Sequence, residues 1–347
     1  MRQGEECNAS RDREDDTEDG DVVRADTDAR KPSGEALRRP AGPRLEGTSL
    51  HGSEYSGRVR GLLLQVAAYR YVVLDVFTDT PLEGNQLAVF TDAREMSEDL
   101  LQPLAREMNY SETVFVLPAE QGGNARIRIF TPSAELPFAG HPTLGSAFVL
   151  AAPLQLGEIR LETGAGIVTV GLEREDGRIV FGRMEQPIPT VQPVPDEDAV
   201  LAALRVDRSE LPVEMYDNGI RHMYVALPSE ADVARVKPDF GALADALAGR
   251  CVSTFAGSDA KWKTRMFAPG SGVPEDPATG SAAGPLALHL ARHGRISFGD
   301  EIAISQGAEI GRPSTLYARV DGSSDDVERV EVGGSAVTVA RGEFRLP

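Results

Sequence analysis

The sequence is poor in cysteine, in basic charge and in long apolar segments. Only two cysteines, Cys7 and Cys251, occur in 347 residues, which excludes a disulfide framework and indicates a reducing compartment. Lys and Arg number 36 against 54 Asp and Glu, a formal net charge of −18. This charge argues against nucleic acid or an anionic membrane as partner, because both bind clustered basic side chains. No segment of the sequence approaches the roughly 18 consecutive apolar residues of a membrane span. We therefore expect a cytoplasmic protein that acts on a small molecule.

The first 68 residues differ in composition from the rest of the chain. Residues 1–68 are polar, include the acidic segment REDDTEDGD and show no sustained apolar period, which is typical of disordered chains. We expect a solvated tail or an over-long gene assignment there and exclude it from the fold. The remaining length suits two domains, and the proline-rich residues 186–195 indicate their boundary. We predict an N-terminal lobe at 69–188 and a C-terminal lobe at 189–347.

Apolar periodicity predicts more strands than helices in both lobes. Segments such as YRYVVLDVFTD, ETVFVLPAE, RHMYVALP and KWKTRMFAP have the pattern of strands. Helical spacing occurs in MSEDLLQPLAREMN, which Ser97 opens, and in the apolar TLGSAFVLAAPL and ATGSAAGPLALHLARHG. These elements predict an α+β fold.

One segment is present twice in the chain. RIFTP at 128–132 matches RMFAP at 265–269, and each is followed by a proline-containing loop, a glycine with a polar residue, and an apolar helix. Gly140-His141 in the first half therefore corresponds to Gly280-Ser281 in the second. Two similar halves predict a pseudo-symmetric molecule with its site in the cleft between them.

The repeated helix starts have the chemistry of an anion holder. A helix N-terminus offers unpaired N–H groups and partial positive charge, so two of them at one cleft suit a carboxylate or an enolate. Gly140 and Gly280 allow close approach of the backbone to a ligand. Ser281 is either a helix cap or a ligand-binding hydroxyl.

Three titratable residues are candidates for catalysis. His141 is either a structural side chain or a functional group at the helix start, and its place in the repeat favours function. Asp276, in PEDPATGSAAG, is either an Asx turn before a proline or a cleft acid. Glu112 begins an otherwise apolar strand, where burial would raise the pKa of its carboxyl, as a general base near neutral pH requires. A surface charge at a strand end is its alternative.

Two other features have simpler explanations than catalysis. Cys251 lies in the apolar CVSTFAG, where a buried small side chain is the more ordinary role. His289 and His293 stand one helical turn apart, but without the Glu of HExxH or a third ligand in the sequence. We expect surface histidines there and no metal.

Several segments together resemble the PhzF family of phenazine biosynthesis proteins. They cover residues 69–347 and include YVVLDVFTDTPLEGNQLAVF, LAREMNYSETVFVLP, RIRIFTPSAELPFAGHPTLGSA, RMFAPGSGVPEDPATGSAAGPLALHLARH and SQGAEIGRPSTLYARV. The resemblance implies a diaminopimelate epimerase-like fold, in which two pseudo-symmetric lobes each wrap a curved mixed sheet around a central helix. It also implies a homodimer and the cofactor-free, metal-free isomerisation of trans-2,3-dihydro-3-hydroxyanthranilate to an aminoketone.

The resemblance also implies roles for individual residues. Glu112 matches the catalytic glutamate of the family, and the remaining matches are polar site residues and glycines whose N–H groups bind substrate: His141, Asp276, Ser281, Gly140 and Gly280. The family pattern GNPxAV stands here with Gln86 in place of proline, so we expect a small change in loop stiffness, with Asn85 still available to the site. The epimerases of this fold use paired cysteines, and neither helix start has one.

These expectations combine into one mechanism with two rivals. Glu112, as a carboxylate, would move a proton from C3 to C1 of the substrate ring while His141 and Asp276 orient it and the helix starts hold its carboxylate. The rivals are an isomerase or epimerase of another small amino or hydroxy acid and a non-catalytic interaction protein. The complete set of polar residues favours catalysis, because a binding module has no need for a buried unpaired acid.

Overall fold

The computed structural model describes residues 67–346. The tail predicted at 1–68 lies outside the described residues except for its last two, which begin the first strand, and Cys7 lies outside as well. The described chain therefore starts its first strand two residues before the predicted Tyr69.

Eighteen strands and six α-helices occupy residues 67–346, so strands outnumber helices, as predicted for the α+β class. The strands are β1 (Ala67–Val76), β2 (Asn85–Phe90), β3 (Glu112–Leu117), β4 (Ala125–Phe130), β5 (Glu135–Leu136), β6 (Glu158–Thr163), β7 (Gly166–Glu175), β8 (Arg178–Gln186), β9 (Thr190–Gln192), β10 (Glu214–Asp217), β11 (Arg221–Ala226), β12 (Cys251–Ser258), β13 (Lys261–Ala268), β14 (Val273–Asp276), β15 (Glu301–Gln306), β16 (Ser314–Gly322), β17 (Val327–Gly334) and β18 (Ala336–Leu346). The helices are α1 (Glu98–Met108), α2 (Gly140–Leu154), α3 (Glu197–Leu204), α4 (Glu230–Arg235), α5 (Phe240–Leu247) and α6 (Gly280–Arg292).

The strands follow the same order twice. Hydrogen-bonded neighbours run β1-β2-β3-β4-β6-β7-β8 in the first half and β10-β11-β12-β13-β15-β16-β17 in the second. The pairs β2–β3 and β4–β6 are parallel, as are their counterparts β11–β12 and β13–β15. Pairing of β8 with β17 joins the halves into one sheet. The predicted internal repeat is confirmed in the topology, while the lobe limits 69–188 and 189–347 stay a prediction.

A helix lies at the centre of each half. α2 packs against β1, β2, β3, β6, β7 and β8, and α6 packs against β11, β16 and β17. A helix that is surrounded by a sheet needs an apolar surface all round, and most residues of both helices are small or apolar and buried. None of the helices between residues 67 and 346 is long and apolar enough to cross a membrane.

The first and last strands of the described chain are neighbours. β18 pairs antiparallel with β1, from Ala67 opposite Leu346 to Val76 opposite Ala336. β1 is therefore flanked by β2 on one side and β18 on the other.

Arg312 fixes the segment that leads into β2. Its guanidinium donates hydrogen bonds to Asp75 Oδ1 at 2.6 Å and to the carbonyls of Leu82 at 2.8 Å and Gly84 at 2.9 Å. Gln86, where the family pattern has proline, is the second residue of β2 and pairs with Asp75. The change from proline thus falls within a strand, so the expected small change in loop stiffness does not apply at this position.

Candidate active site

The two repeated helix starts meet. α2 begins at Gly140 and α6 at Gly280. A Cβ added to Gly140 would lie 2.5 Å from both the Gly280 carbonyl carbon and the Ser281 backbone nitrogen, so residue 140 has no room for a side chain. Two helix N-termini side by side direct free N–H groups and partial positive charge to one place, which suits an anion.

A cavity of about 180 Å³ opens beside this junction. Residues from both halves line it, and they include six of the seven predicted site residues: Glu112, Gly140, His141, Asp276, Gly280 and Ser281. The seventh, Asn85, lies behind the wall and contacts two of the six. The structure thus brings all the predicted residues together.

Glu112 and His141 face each other without a hydrogen bond. Glu112 opens β3 with 14% of its side chain exposed, and its Oε2 lies 3.4 Å from Nε2 of the buried His141. Neither of these two atoms has a hydrogen-bond partner among the described residues. Unpaired buried polar atoms cost free energy, so this arrangement lowers fold stability and leaves both atoms available to a ligand.

Asn85 connects His141 to Asp276. Its Nδ2 lies 3.3 Å from His141 Nδ1, and it donates hydrogen bonds to Asp276 Oδ1 and to the Ala278 carbonyl, both at 2.9 Å. The Ser111 hydroxyl donates to Asn85 Oδ1 at 2.7 Å and fixes the amide orientation. Asn85 therefore acts from behind the cavity wall on two of its polar groups.

Asp276 is held on both of its carboxylate oxygens. The Thr279 hydroxyl donates to Asp276 Oδ2 at 2.5 Å. Gln306 Nε2 donates to the Asp276 carbonyl at 2.8 Å and to Thr279 Oγ1 at 2.9 Å. With Asn85 on the other oxygen, Asp276 is rigidly placed, which suits an orienting group better than a mobile proton carrier.

Burial is the main cause of the altered pKa values in the cavity. Burial, followed by the negative charge of Asp276, raises the pKa of Glu112 to about 8. Burial raises the pKa of Asp276 to about 6, against its hydrogen bonds, and lowers the pKa of His141 to about 3. At pH 7 His141 is therefore neutral, and burial favours the protonated form of both carboxyl groups relative to exposed ones.

We expect Glu112→Gln to stabilise the protein at high pH. The pKa of Glu112 is about 8 in the folded chain and near 4.3 in an unfolded chain, so its ionisation opposes folding, and stability is lost as pH rises through this range. The variant should gain about 1–3 kcal/mol of unfolding free energy at pH 9 and nothing at pH 4. Denaturant unfolding at the two pH values measures this, with the exposed Glu107→Gln as control. Equal gains at both pH values would contradict the burial explanation.

His222 is a cavity residue that sequence analysis missed. It is fully buried in β11, and its Nε2 lies 3.1 Å from Ser281 Oγ. Asn218 Nδ2 donates to the Ser281 carbonyl at 2.9 Å, so side chains on and just before β11 hold the start of α6. The strand pattern of RHMYVALP does not reveal which side chain reaches a helix 59 positions later.

Cys251 lines the same cavity, at the position equivalent to Glu112. Cys251 is the first residue of β12, and Glu112 is the first residue of β3. β12 pairs in parallel with β11, and β3 pairs in parallel with β2, in each case after a helical connection. The predicted burial of Cys251 is confirmed at 7% exposure. Burial, followed by the charges of Asp276 and Glu112, raises the pKa of its thiol to about 12, so Cys251 is a neutral thiol at pH 7.

The prediction of surface histidines is wrong for His289 in α6, whereas His293, directly after α6, has 21% of its side chain exposed. His289 is fully buried, and Glu214 brings a third ligand-type atom within 4.8 Å of the two imidazoles. Glu214 Oε2 accepts a hydrogen bond from Tyr216 at 2.6 Å and lies 3.2 Å from His289 Nδ1 and 3.0 Å from His293 Nε2. These hydrogen bonds, of which the one with His289 has the largest effect, hold the pKa of Glu214 below its usual range. The hydrogen bonds of this cluster link β10 to α6, and the cluster lies apart from the cavity.

Comparisons with known proteins agree on one family. The family model described as phenazine biosynthesis-like protein (PhzC-PhzF) matches residues 74–342. The chain is 50% identical to a trans-2,3-dihydro-3-hydroxyanthranilate isomerase of Pseudomonas chlororaphis over 278 residues, which are 80% of this chain and 100% of that one.

Solved structures give the fold. A predicted epimerase of Pseudomonas aeruginosa superposes with a TM-score of 0.67 at 31% identity and covers 80% of this chain and 99% of its own. A probable proline racemase of Agrobacterium radiobacter superposes at 0.57 with 15% identity, over 80% and 93% of the two chains. The chain has the diaminopimelate epimerase-like fold, as predicted.

Proposed function

The chain belongs to the phenazine biosynthesis-like (PhzC-PhzF) family, and we propose that it isomerises trans-2,3-dihydro-3-hydroxyanthranilate to 6-amino-5-oxocyclohex-2-ene-1-carboxylate in phenazine biosynthesis. One observation carries the proposal: the unpaired Glu112 Oε2 lies 3.4 Å from His141 in a cavity that the joined helix starts also line. This reaction needs a proton acceptor and a binding site for the substrate carboxylate. Both therefore lie in the same cavity.

The proposed chemistry moves one proton around the substrate ring. With the ring numbered from the carboxyl-bearing carbon, ionised Glu112 takes the proton from C3. The C3–H electron pair forms C3=C4, the C4=C5 pair moves to C5=C6, and the C6=C1 pair takes a proton at C1. Glu112 returns its proton to C1, so that one carboxyl group is first base and then acid. The enol becomes the ketone as its hydroxyl proton moves to C4.

The other residues bind and orient the substrate. The N–H groups at Gly140 and Gly280, with Ser281, hold the carboxylate. His141 is neutral because burial lowers its pKa to about 3, so it acts through hydrogen bonds and not as a cation. Asp276, fixed by Asn85 and Thr279, aligns the amino or hydroxyl group so that C3 faces Glu112.

We expect kcat/KM to fall as pH drops below about 8. Glu112, with a pKa of about 8 in the free protein, accepts a proton only when ionised, so the rate should fall about tenfold per pH unit below that value. Rates measured between pH 5.5 and 9.5 test this. Asp276→Asn removes the charge that helps to raise the pKa of Glu112, so the residual activity of this variant should have its acidic limb at lower pH. A flat profile between pH 6 and 9 would rule out Glu112 as the base.

Proton NMR with the purified chain in deuterated buffer tests the function itself. Consumption of trans-2,3-dihydro-3-hydroxyanthranilate far above the background rate would support the isomerase. An untouched substrate, with turnover of another small amino or hydroxy acid, would move the assignment to the first rival function. Ligand binding without turnover of either class would favour the non-catalytic rival.

Two further expectations stay predictions. The family resemblance implies a homodimer, which size-exclusion chromatography with light scattering measures directly. Composition implies a cytoplasmic location, which fractionation of the producing cell tests.

A further inference from the structure

We propose that His222 is a positioning residue that directs the Ser281 hydroxyl proton into the cavity, where that proton binds the substrate carboxylate. The inference rests on the proposed function and adds to it a residue that the sequence motifs do not contain. Its role would be exerted through Ser281 and not through direct contact with the ligand.

The contact between the two side chains is short and buried. His222 has no exposed surface and Ser281 has 3%. His222 Nε2 and Ser281 Oγ are 3.1 Å apart, within the range of a hydrogen bond. Both residues line the cavity, and Ser281 is the second residue of α6, directly beside the joined helix starts.

The unpaired second nitrogen of His222 decides which partner donates. His222 Nδ1 has no hydrogen-bond partner within residues 67–346. A proton on Nδ1 would leave a buried donor unsatisfied, whereas a proton on Nε2 leaves only a bare lone pair on Nδ1. The tautomer with the proton on Nε2 is therefore favoured, and it donates to Ser281 Oγ.

This direction of donation frees the serine proton. Because Ser281 Oγ accepts from His222, its own O–H is available to a second partner. Burial lowers the pKa of His222 to about 3, so the neutral imidazole with a single N–H persists at working pH. A hydroxyl that donates beside two helix N-termini completes an anion site, since all its groups then donate to the carboxylate.

A double-mutant cycle on His222 and Ser281 tests the proposal. The variants are His222→Leu, Ser281→Ala and both together, with His222→Gln as the conservative replacement whose amide N–H extends about as far as Nε2. The readouts are KM and kcat for the substrate, and calorimetric Kd for 3-hydroxyanthranilate and for 2-aminophenol, which lacks the carboxylate. Circular dichroism checks that each variant is folded. If His222→Leu fails to fold, His222→Asn, whose amide is too short to contact Ser281, takes its place.

We expect the loss to be specific to the carboxylate and to depend on Ser281. His222→Leu should raise KM and the Kd of 3-hydroxyanthranilate about tenfold, the scale of a hydrogen bond to a charged group, with kcat within about threefold of the wild-type value. His222→Gln should restore most of the binding, and the Kd of 2-aminophenol should not change. In the Ser281→Ala background His222→Leu should add nothing, since the two side chains act as one unit.

Three results would overturn the inference: additive losses, an equal loss for 2-aminophenol, or a wild-type protein that binds no 3-hydroxyanthranilate. Failure of the proposed function looks different. A wild-type protein that binds 3-hydroxyanthranilate but leaves the dihydro substrate unchanged would refute the isomerisation, while the binding cycle would still decide the role of His222.

Discussion

Glu112→Gln is expected to lower kcat by about 10²–10⁴-fold, the usual contribution of a general base, while the protein stays folded. The amide keeps the shape of the side chain but cannot take the proton from C3. Since Glu112 Oε2 has no structural partner in the described chain, its loss should not disturb the cavity. Proton NMR in deuterated buffer measures turnover, and calorimetry with 3-hydroxyanthranilate checks that binding remains within a few fold.

Cys251→Ser is the matched control for this substitution. Cys251 holds the equivalent strand position in the second half and lines the same cavity, but its thiol is neutral because its pKa is about 12. We expect nearly wild-type kcat from this variant. Equal turnover by wild type and Glu112→Gln would show that another group is the base, and a loss in Cys251→Ser as large as in Glu112→Gln would point to a two-base mechanism.

Gly140→Ala is expected to cost both stability and activity. The new Cβ would lie 2.5 Å from backbone atoms of Gly280 and Ser281, which cannot turn away as a flexible side chain does. The helix starts must separate, and overpacking of this kind costs about 1–3 kcal/mol. Because the same backbone forms the anion holder, we expect KM to rise at least tenfold, as expected for a lost charge-assisted hydrogen bond. Urea unfolding and steady-state kinetics measure the two effects.

Two other glycines calibrate this result. At Gly157, which has an ordinary negative φ, an added Cβ meets no atom within 4 Å, so Gly157→Ala should leave stability and kinetics nearly unchanged. At Gly280 the nearest atoms to an added Cβ include Phe77 Cζ at 2.9 Å and the Gly140 carbonyl carbon at 3.1 Å, both farther away than the 2.5 Å backbone contacts at Gly140, so Gly280→Ala should cost less than Gly140→Ala. A Gly140→Ala protein with wild-type stability and KM would mean that the helix starts do not need their close contact.

The part of the site that repeats in the chain was predictable from sequence. RIFTP and RMFAP mark equivalent strands, and this correspondence alone predicts that His141 and Ser281 lie at equivalent places on the two sides of one cleft. The strand patterns for β3 and β4 and the start of α1 at Glu98 also agree with the structure. Local pattern succeeds here because turn chemistry and apolar spacing act over a few residues.

The parts that depend on distant partners were not predictable. His222 has the pattern of any polar residue in a strand, and only the packing of β11 against α6 brings it to Ser281. His289 shares the end of its helix with the polar Arg292 and His293 but is covered by β10, through Glu214 and Tyr216. The short α4 was also missed, since its six residues are too few for a periodic signal. Burial of a polar side chain is decided by what packs over it, which short-range sequence patterns do not contain.

The pairing of β1 with β18 has a consequence for how the protein is made. A ribosome releases β1, which starts at residue 67, long before β18, which starts at residue 336. At roughly 5–20 residues per second the delay is on the order of ten seconds or more. During that time one edge of β1 lacks its partner and is open to pairing with other nascent chains. Completion of the fold therefore waits until β18 has been synthesised, and slow folding dominated by long-range contacts is expected.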